Sequence, residues 1–163
     1  MRFLLYLTVA LLAAAAARAD EKGEKEPSWI IELGGVGEGS FSGKPSFGPS
    51  AAVEFTPIKG WLEIEAGIAP MFSSGQTEWD ADLLFKKPFT LSRQVEFMIG
   101  AGPELKISRE GTVLAGEIAA DFMFWPTADR KLGWFIEPAY SYTLTKGHEQ
   151  SLGVTAGLLI AIP

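Results

Sequence analysis

Hydrophobic and polar residues alternate with a period of two along most of this chain. In residues 62–69, Leu62, Ile64 and Ile68 occupy one set of alternate positions, and Glu63 and Glu65 occupy the other. Successive side chains of a β-strand point to opposite faces, so this pattern predicts a strand with one apolar and one acidic face. No sustained helical period appears after residue 19. The predicted strands are residues 29–37, 47–57, 61–72, 77–87, 93–106, 112–125, 132–143 and 150–162.

The first 19 residues have the pattern of a secretory signal peptide. Arg2 precedes an unbroken apolar run that ends at Ala17, and Ala17-Arg18-Ala19 offers a small-x-small cleavage site. The run is shorter than the roughly 20 residues that a membrane-spanning helix needs. We therefore expect a signal peptide at residues 1–19, a flexible periplasmic leader at residues 20–28 and one β-barrel domain at residues 29–163.

Short connections join the predicted strands. Three contain proline, namely residues 57–60, residues 126–129 and a turn that opens with Lys87-Pro88-Phe89. If both termini lie in the periplasm, these three turns also face the periplasm. The four other links, residues 38–46, 73–76, 107–111 and 146–149, then face outward. They are rich in Gly, Ser and charged residues, as exposed loops are.

The distribution of acids and aromatics decides which face meets water. Thirteen acids occupy the polar face: Glu32, Glu38, Glu54, Glu63, Glu65, Glu78, Asp80, Asp82, Glu96, Glu104, Glu117, Asp121 and Glu137. Aromatic residues on the apolar face cluster toward the two strand ends, around an aliphatic band. The proposed periplasmic belt is Trp29, Phe55, Trp61, Phe85, Phe124 and Trp134, and the outer belt is Phe47, Phe72, Trp79, Tyr140 and Tyr142. Such belts suit the two headgroup zones of a bilayer, which predicts lipid outside and acids within.

Composition narrows the classes of partner. The chain has 20 acidic and 14 basic residues and no cysteine. An acidic chain without clustered bases lacks what a nucleic-acid partner requires, and a disulfide scaffold is excluded. Cleavage after Ala19 would remove two further positive charges, those of Arg2 and Arg18.

Together, the signal peptide, the eight alternating strands, the short turns on one side and the aromatic belts resemble the small eight-stranded outer-membrane β-barrel proteins of Gram-negative bacteria. The resemblance implies an all-β, antiparallel, up-and-down transmembrane barrel in contact with outer-membrane lipid. It also implies insertion by the outer-membrane assembly machinery, usually guided by a final strand that ends in an aromatic residue. This chain instead ends Ile160-Ala161-Ile162-Pro163. A second departure is the in-strand prolines, for which we expect bulges or frayed outer ends: Pro49, Pro70, Pro103 and Pro138.

The inner face predicts the chemistry of the lumen. Only Lys86 and Lys106 point inward from the strands against the thirteen acids, so some carboxylates carry a proton or cations and water compensate them. Many inward positions are Gly or Ala, which leaves room for water. Two hypotheses follow. One is a narrow, porin-like, cation-preferring lumen, and the other is a polar plug that only stabilises the barrel.

Other functions have weaker support in the sequence. A lipid-modifying enzyme would need His148, the only histidine, to act with a cross-strand serine such as Ser141, and we expect no enzymatic activity. Surface interaction or adhesion through the outer links is a third class. Glu78, Asp80 and Asp82 lie on one strand face and suggest either a hard-cation site or a solvated rim. No cofactor is implied, and no residue is assigned as catalytic.

Overall fold

Eight antiparallel strands close into one barrel. The computed structural model describes residues 29–162 except Ser42 and Lys146, so the predicted signal peptide and leader lie outside the described residues. The strands are β1 (Trp29–Ser40), β2 (Ser46–Ile58), β3 (Leu62–Ser73), β4 (Gln76–Thr90), β5 (Val95–Ser108), β6 (Gly111–Phe124), β7 (Leu132–Thr143) and β8 (Gln150–Ile162). Each strand pairs with its neighbours in sequence, and β8 pairs with β1. The predicted all-β, up-and-down barrel is confirmed. Among the described residues no helix is long and apolar enough to cross a membrane.

The predicted turn at Lys87-Pro88-Phe89 is wrong, because β4 continues to Thr90. Pro88 pairs with Met98 and Phe89 with Phe97 on β5. Pairing between β3 and β4 begins only at Glu63 and Lys86, so no residue of β3 pairs with Pro88. The N–H that proline lacks therefore costs no hydrogen bond to β3. The turn follows at residues 91–94, and Phe89 lies nearer that end of the barrel than the predicted belt residue Phe85.

The four prolines that were expected to need bulges or frayed ends are instead accommodated by gaps in the hydrogen-bonded ladder, whereas Pro57 near the end of β2 lies at a register shift between Phe55 and Ile58. The β2–β3 register is interrupted around Pro49 and Pro70, the β4–β5 register around Pro103 and the β6–β7 register around Pro138. On either side of each gap the pairing resumes in the same register. Each proline remains paired on its other side, for example Pro138 with Val154. Each interrupted seam lies between two strands that are joined by a turn at the end of the barrel where the termini lie. The N–H that proline lacks is therefore missing from a seam of this kind.

Two of these prolines follow a glycine that the facing strand requires. A Cβ added to Gly48 would lie 1.8 Å from the carbonyl oxygen of Pro70, and one added to Gly102 would lie 1.8 Å from that of Leu83. Backbone approaches this close exclude any side chain at either glycine. The Gly48-Pro49 and Gly102-Pro103 steps thus let neighbouring strands press together where the ladder is open.

The two faces of the sheet are arranged as the alternation predicted. Buried carboxylates point to the barrel axis: Glu32, Glu54, Glu63, Glu65, Asp80, Glu96, Glu104, Asp121 and Glu137. Aliphatic side chains cover the exterior: Leu33, Val53, Ile68, Leu83, Ile99, Ile118, Ile136 and Leu158. The arrangement is the inverse of a soluble barrel, in which the aliphatic side would form the core.

Aromatic pairs mark the outward face near the barrel ends. On the side of the termini, Phe124 stacks on Trp134 with ring centroids 3.9 Å apart, and Trp29 lies 4.6 Å from Phe55. At the other end, Phe47 pairs across the β2–β3 seam with Phe72. Both predicted belts therefore lie on the outer surface, where Trp29, Trp61, Phe47 and Trp79 are all exposed.

The open seam at Pro103 gives a test of this packing. Gly102→Ala forces a methyl group onto the Leu83 carbonyl and should lower the free energy of unfolding by about 1–3 kcal/mol. Gly116→Ala is the matched control, because a Cβ there meets nothing within 4 Å. Its effect should stay within about 0.5 kcal/mol. Urea unfolding of the refolded barrel measures both, and equal stabilities for the two variants would contradict the close approach.

The barrel interior as a candidate functional site

The interior is divided along its axis into three regions. On the side of the termini, the base is an apolar cluster: Ile30, Met98, Met123, Trp125, Phe135 and Leu159. The middle region surrounds the buried amino group of Lys86, and the vestibule is the open end around Lys106. Met98, Met123 and Phe135 each lie two residues from an acid of the polar face, so alternation places them inward, but the pattern gives no depth along the axis. The sealed base was therefore not predicted.

The turn between β6 and β7 closes the base from below. Arg130, which was not among the predicted interior residues, is buried and adopts a positive φ of 45°. Its Nη1 donates to Glu96 Oε2 at 3.1 Å, and its Nη2 donates to the carbonyl oxygen of Arg93 at 3.3 Å. In the exposed part of the turn, a hydrogen bond from Thr127 Oγ1 lowers the pKa of Asp129. An arginine in a turn has no strand parity, so alternation could not place Arg130 inside.

In the middle region one cation holds three acids from three strands. Lys86 on β4 donates to Glu65 on β3, to Glu137 on β7 at 2.5 Å and to Asp121 on β6 at 3.4 Å. All four side chains are at least nine-tenths buried, so water does little to screen them. Three further buried acids share this level of the barrel or lie beside it: Glu32, Glu54 and Glu63. Acids thus outnumber bases here, as the alternation predicted.

The second inward lysine lies higher, toward the open end. Lys106 Nζ donates to both oxygens of Glu38, at 2.7 and 2.9 Å, and lies 3.5 Å from Glu104 Oε1. Asp80 joins Glu38 and Glu104, with one oxygen of each lying within 4.8 Å of the others. The structure therefore groups Asp80 with acids from other strands instead of with Glu78 and Asp82 on its own strand. Alternate residues along one strand are about 6.5 Å apart, farther than neighbours across a seam.

Two adjoining cavities follow the acids inward. The vestibule has a volume of about 790 Å³ and is lined by Lys106 on β5 and by residues of the links between strands, including Arg109 and Glu149. A narrow cavity of about 80 Å³ continues past Asp82 and Glu117 to Glu32 and Glu65. Glu38 and Met71 line both cavities, which places them at the junction. The inner cavity thus lies next to the middle region, and Phe135 of the base is also among its lining residues.

His148 has a partner outside the lumen. It lies in the β7–β8 link with a φ of 53°, and its Nδ1 is 3.1 Å from the hydroxyl of Tyr142. The two rings also stack, with centroids 5.8 Å apart. Ser141, the serine considered as a cross-strand partner, is buried on the opposite face of β7 and pairs with Ser151.

Comparisons with known proteins find this fold and no sequence family. No family model matches the chain, and no curated protein matches it. Among solved structures, Neisserial surface protein A superposes with a TM-score of 0.67 at 13% identity, covering 83% of this chain and 97% of that one. The N-terminal β-barrel domain of Pseudomonas aeruginosa OprF gives 0.57 at 15% identity, with coverage of 83% and 100%. The attachment invasion locus protein Ail of Yersinia pestis gives 0.53 at 12% identity, with coverage of 84% and 99%.

These likenesses establish the architecture. The chain has the fold of the small eight-stranded outer-membrane β-barrels of Gram-negative bacteria, as the sequence resemblance implied. A designed transmembrane β-barrel also superposes, with a TM-score of 0.58 at 11% identity, over 86% of this chain and all of that one. A barrel designed from physical rules shares the fold, so the likeness extends to the backbone and not to any particular chemistry of the lumen.

The central lysine provides a test of the interior electrostatics. Lys86→Met leaves Glu65, Asp121 and Glu137 buried without their cation and should lower the free energy of unfolding by about 3–5 kcal/mol at neutral pH. The neighbouring variant Lys87→Met is the control, because it removes an exposed hydrogen bond to the Gly60 carbonyl and a cation–π contact with Phe89, and it should cost about 1 kcal/mol. Urea titrations of both variants measure the difference. Equal losses would show that the buried ion cluster does not stabilise the barrel.

Proposed function

We propose that this chain is an outer-membrane protein whose barrel holds an acidic, water-filled vestibule open to the exterior and sealed toward the periplasm. It acts as a structural membrane protein and not as an open pore. The observation that carries the proposal is the arrangement of the interior, in which adjoining acidic cavities end at an apolar base. The membrane setting rests on the exterior, which is aliphatic between two aromatic ends.

The exterior supports lipid as the surrounding solvent. Ile118, at the middle of β6, exposes 56% of its surface, and Leu158 on β8 exposes 62%. A soluble protein rarely leaves so continuous an apolar surface in water. Strands of 12 to 15 residues exceed the 9–11 that a tilted strand needs to cross the hydrocarbon. With both ends of the described barrel in the periplasm, the vestibule faces outward.

The base supports closure at the periplasmic end. Leu159, Met98 and Met123 are completely or almost completely buried, and Arg130 lies beneath this layer in contact with Glu96. An eight-stranded barrel is only wide enough for its own side chains to fill. Narrow, cation-preferring conduction is the second candidate, and the acidic upper lumen favours it. The two functions differ in whether ions cross the base.

The polar contacts support a role without covalent chemistry. The His148 imidazole is engaged by Tyr142, and Ser141 faces the opposite side of the strand. The links at the open end are short, with two residues between β3 and β4 and two between β5 and β6. Such links offer little surface for recognition, so adhesion has less support than a structural role.

Conductance in planar bilayers separates a sealed barrel from a pore. We expect no steady current from the wild type. Truncating the base with Phe135→Ala and Leu159→Ala should open a path that prefers cations, because acids line it. Ile136→Ala with Leu158→Ala removes side chains from the adjacent outward positions and should leave the barrel closed. In the opened variant, neutralising Glu63, Glu65 and Glu117 should reduce the preference. A steady current through the wild type would instead support the porin-like function.

Cell fractionation tests the membrane setting. The full chain should appear with outer membranes, and its folded form should migrate differently on gels before and after heating. Ile118→Lys puts a charge on the lipid side and should destabilise the inserted barrel by about 2–4 kcal/mol. Ser74→Lys, in the exposed β3–β4 turn, is the matched control and should insert normally. Recovery of the wild type as a soluble protein would contradict the proposal.

A further inference from the structure

Four buried carboxylates from opposite walls of the barrel converge on one point. Glu32 on β1, Glu54 on β2 and Glu65 on β3 come from consecutive strands, and Asp121 on β6 reaches toward them from across the lumen. One oxygen from each lies within 4.8 Å of the corresponding oxygens of the others. Oxygen ligands placed 2.3–2.6 Å from a central calcium ion would be separated by at most about 5 Å. The cluster therefore has the dimensions of a calcium coordination shell.

Several oxygens of this cluster lack a cationic or amide donor. Glu32 Oε1 and Asp121 Oδ1 accept no hydrogen bond, and the only group within hydrogen-bonding reach of the Glu54 carboxyl in the described residues is another acid, Glu63. Glu54 is 1% exposed and Asp121 is fully buried, so bulk water does not solvate these atoms. Buried carboxylate oxygens without a donor or a cation are strongly unfavourable. Several such oxygens within one group of four neighbouring carboxylates indicate a positively charged occupant.

Lys86 supplies only part of the compensation. Its amino group pairs with Glu65, with Asp121 Oδ2 and with Glu137, which leaves Asp121 Oδ1 on the side of the cluster without a donor. Glu54 and Glu32 receive no hydrogen bond from it. Six buried acids occupy this region against one lysine: Glu32, Glu54, Glu63, Glu65, Asp121 and Glu137. A divalent cation beside Lys86 still leaves the region negatively charged, so its entry remains favourable.

A route leads from the exterior to the cluster. Glu32 and Glu65 line the inner cavity, which meets the vestibule at Glu38 and Met71. The route is lined by further acids, including Asp82 and Glu117, which attract a cation and oppose an anion. The apolar base lies on the other side, so an ion that enters from the vestibule meets Glu32 and Glu65, the two ligands of the cluster that line the inner cavity.

We propose that Glu32, Glu54, Glu65 and Asp121 form a binding site for one hard divalent cation of calcium size at the inner end of the lumen. All four ligands are carboxylates, the donor type that calcium prefers, and some of them can coordinate through both oxygens. Magnesium binds less well, because it holds its waters tightly and demands octahedral geometry in a space with little room for them. The site needs neither conduction nor a particular membrane, so it stands or falls independently of the proposed function.

Calcium binding to the refolded full barrel in detergent tests the site. After dialysis against calcium, metal analysis should give one ion per chain, and isothermal titration should show weaker binding of magnesium. Glu54→Gln removes a ligand charge and should weaken calcium binding by about ten-fold or more. Glu117→Gln removes one unit of charge from the same lumen outside the cluster and should change the affinity by less than about three-fold.

Thermal unfolding gives a second measurement that does not depend on a variant. Calcium should raise the Tm of the wild type, and a chelator should reverse the rise, because a ligand that binds only the folded state stabilises it. Glu54→Gln should fold without calcium, since it relieves repulsion with Glu63 and Glu65, and its Tm should respond little to the ion.

Three results would overturn the site. The first is no binding and no calcium-dependent Tm in the wild type, which would mean that a proton shared between neighbours such as Glu54 and Glu63 neutralises the cluster. The second is an equal loss of affinity in Glu54→Gln and Glu117→Gln, which would mean general attraction of counter-ions to an acidic lumen. The third is a stoichiometry well above one ion per chain, which would place calcium on exposed acids instead.

Discussion

Electrostatic compensation inside a closed, low-dielectric space is the constraint on which this structure depends. The strands direct their carboxylates inward, where Lys86, Lys106 and Arg130 are the bases that contact them in the described part of the chain. These three cationic side chains lie at different depths along the barrel axis. Arg130 lies at the apolar base, Lys86 in the middle region and Lys106 toward the open end. Removing an ion from water costs several kcal/mol, so each contact must be geometrically close to be favourable. The positions of these three cationic side chains, together with the surrounding strands, therefore determine how the lumen is packed.

The apolar exterior and the acidic interior together fix the register of the strands. Because most outward positions in the middle of the strands are aliphatic, a shift of one residue in register would exchange Glu65 with Ile64 across the wall. The free-energy penalty for a charge in hydrocarbon and the penalty for an unpaired buried acid therefore both disfavour a shift in register. Lys86 reinforces the register of β4, since it reaches acids on β3, β6 and β7 at once. A central polar cluster thus specifies the closure of the whole barrel.

Alternation was sufficient to predict the strands and their faces, because a period of two is a direct consequence of strand geometry. It failed for features that the alternation of side chains along one strand does not determine. The proline at position 88 resembled a turn, yet β4 continues through it since no partner strand lies on one side. Arg130 belongs to a turn without parity, and Phe135 had the right parity but an unknown depth. Convergence of Glu32, Glu54, Glu65 and Asp121 depends on curvature across the lumen, which no local pattern contains.

The prolines divide the wall into stronger and weaker contacts. The ladders β1–β2, β3–β4, β5–β6 and β7–β8 are continuous, as is the closing ladder between β1 and β8, whereas the three interrupted seams alternate with them. The cylinder therefore consists of four continuous hairpins that meet at three interrupted seams and one continuous closing seam. We expect bending of the wall to concentrate at the three interrupted seams, where fewer backbone hydrogen bonds hold the strands together.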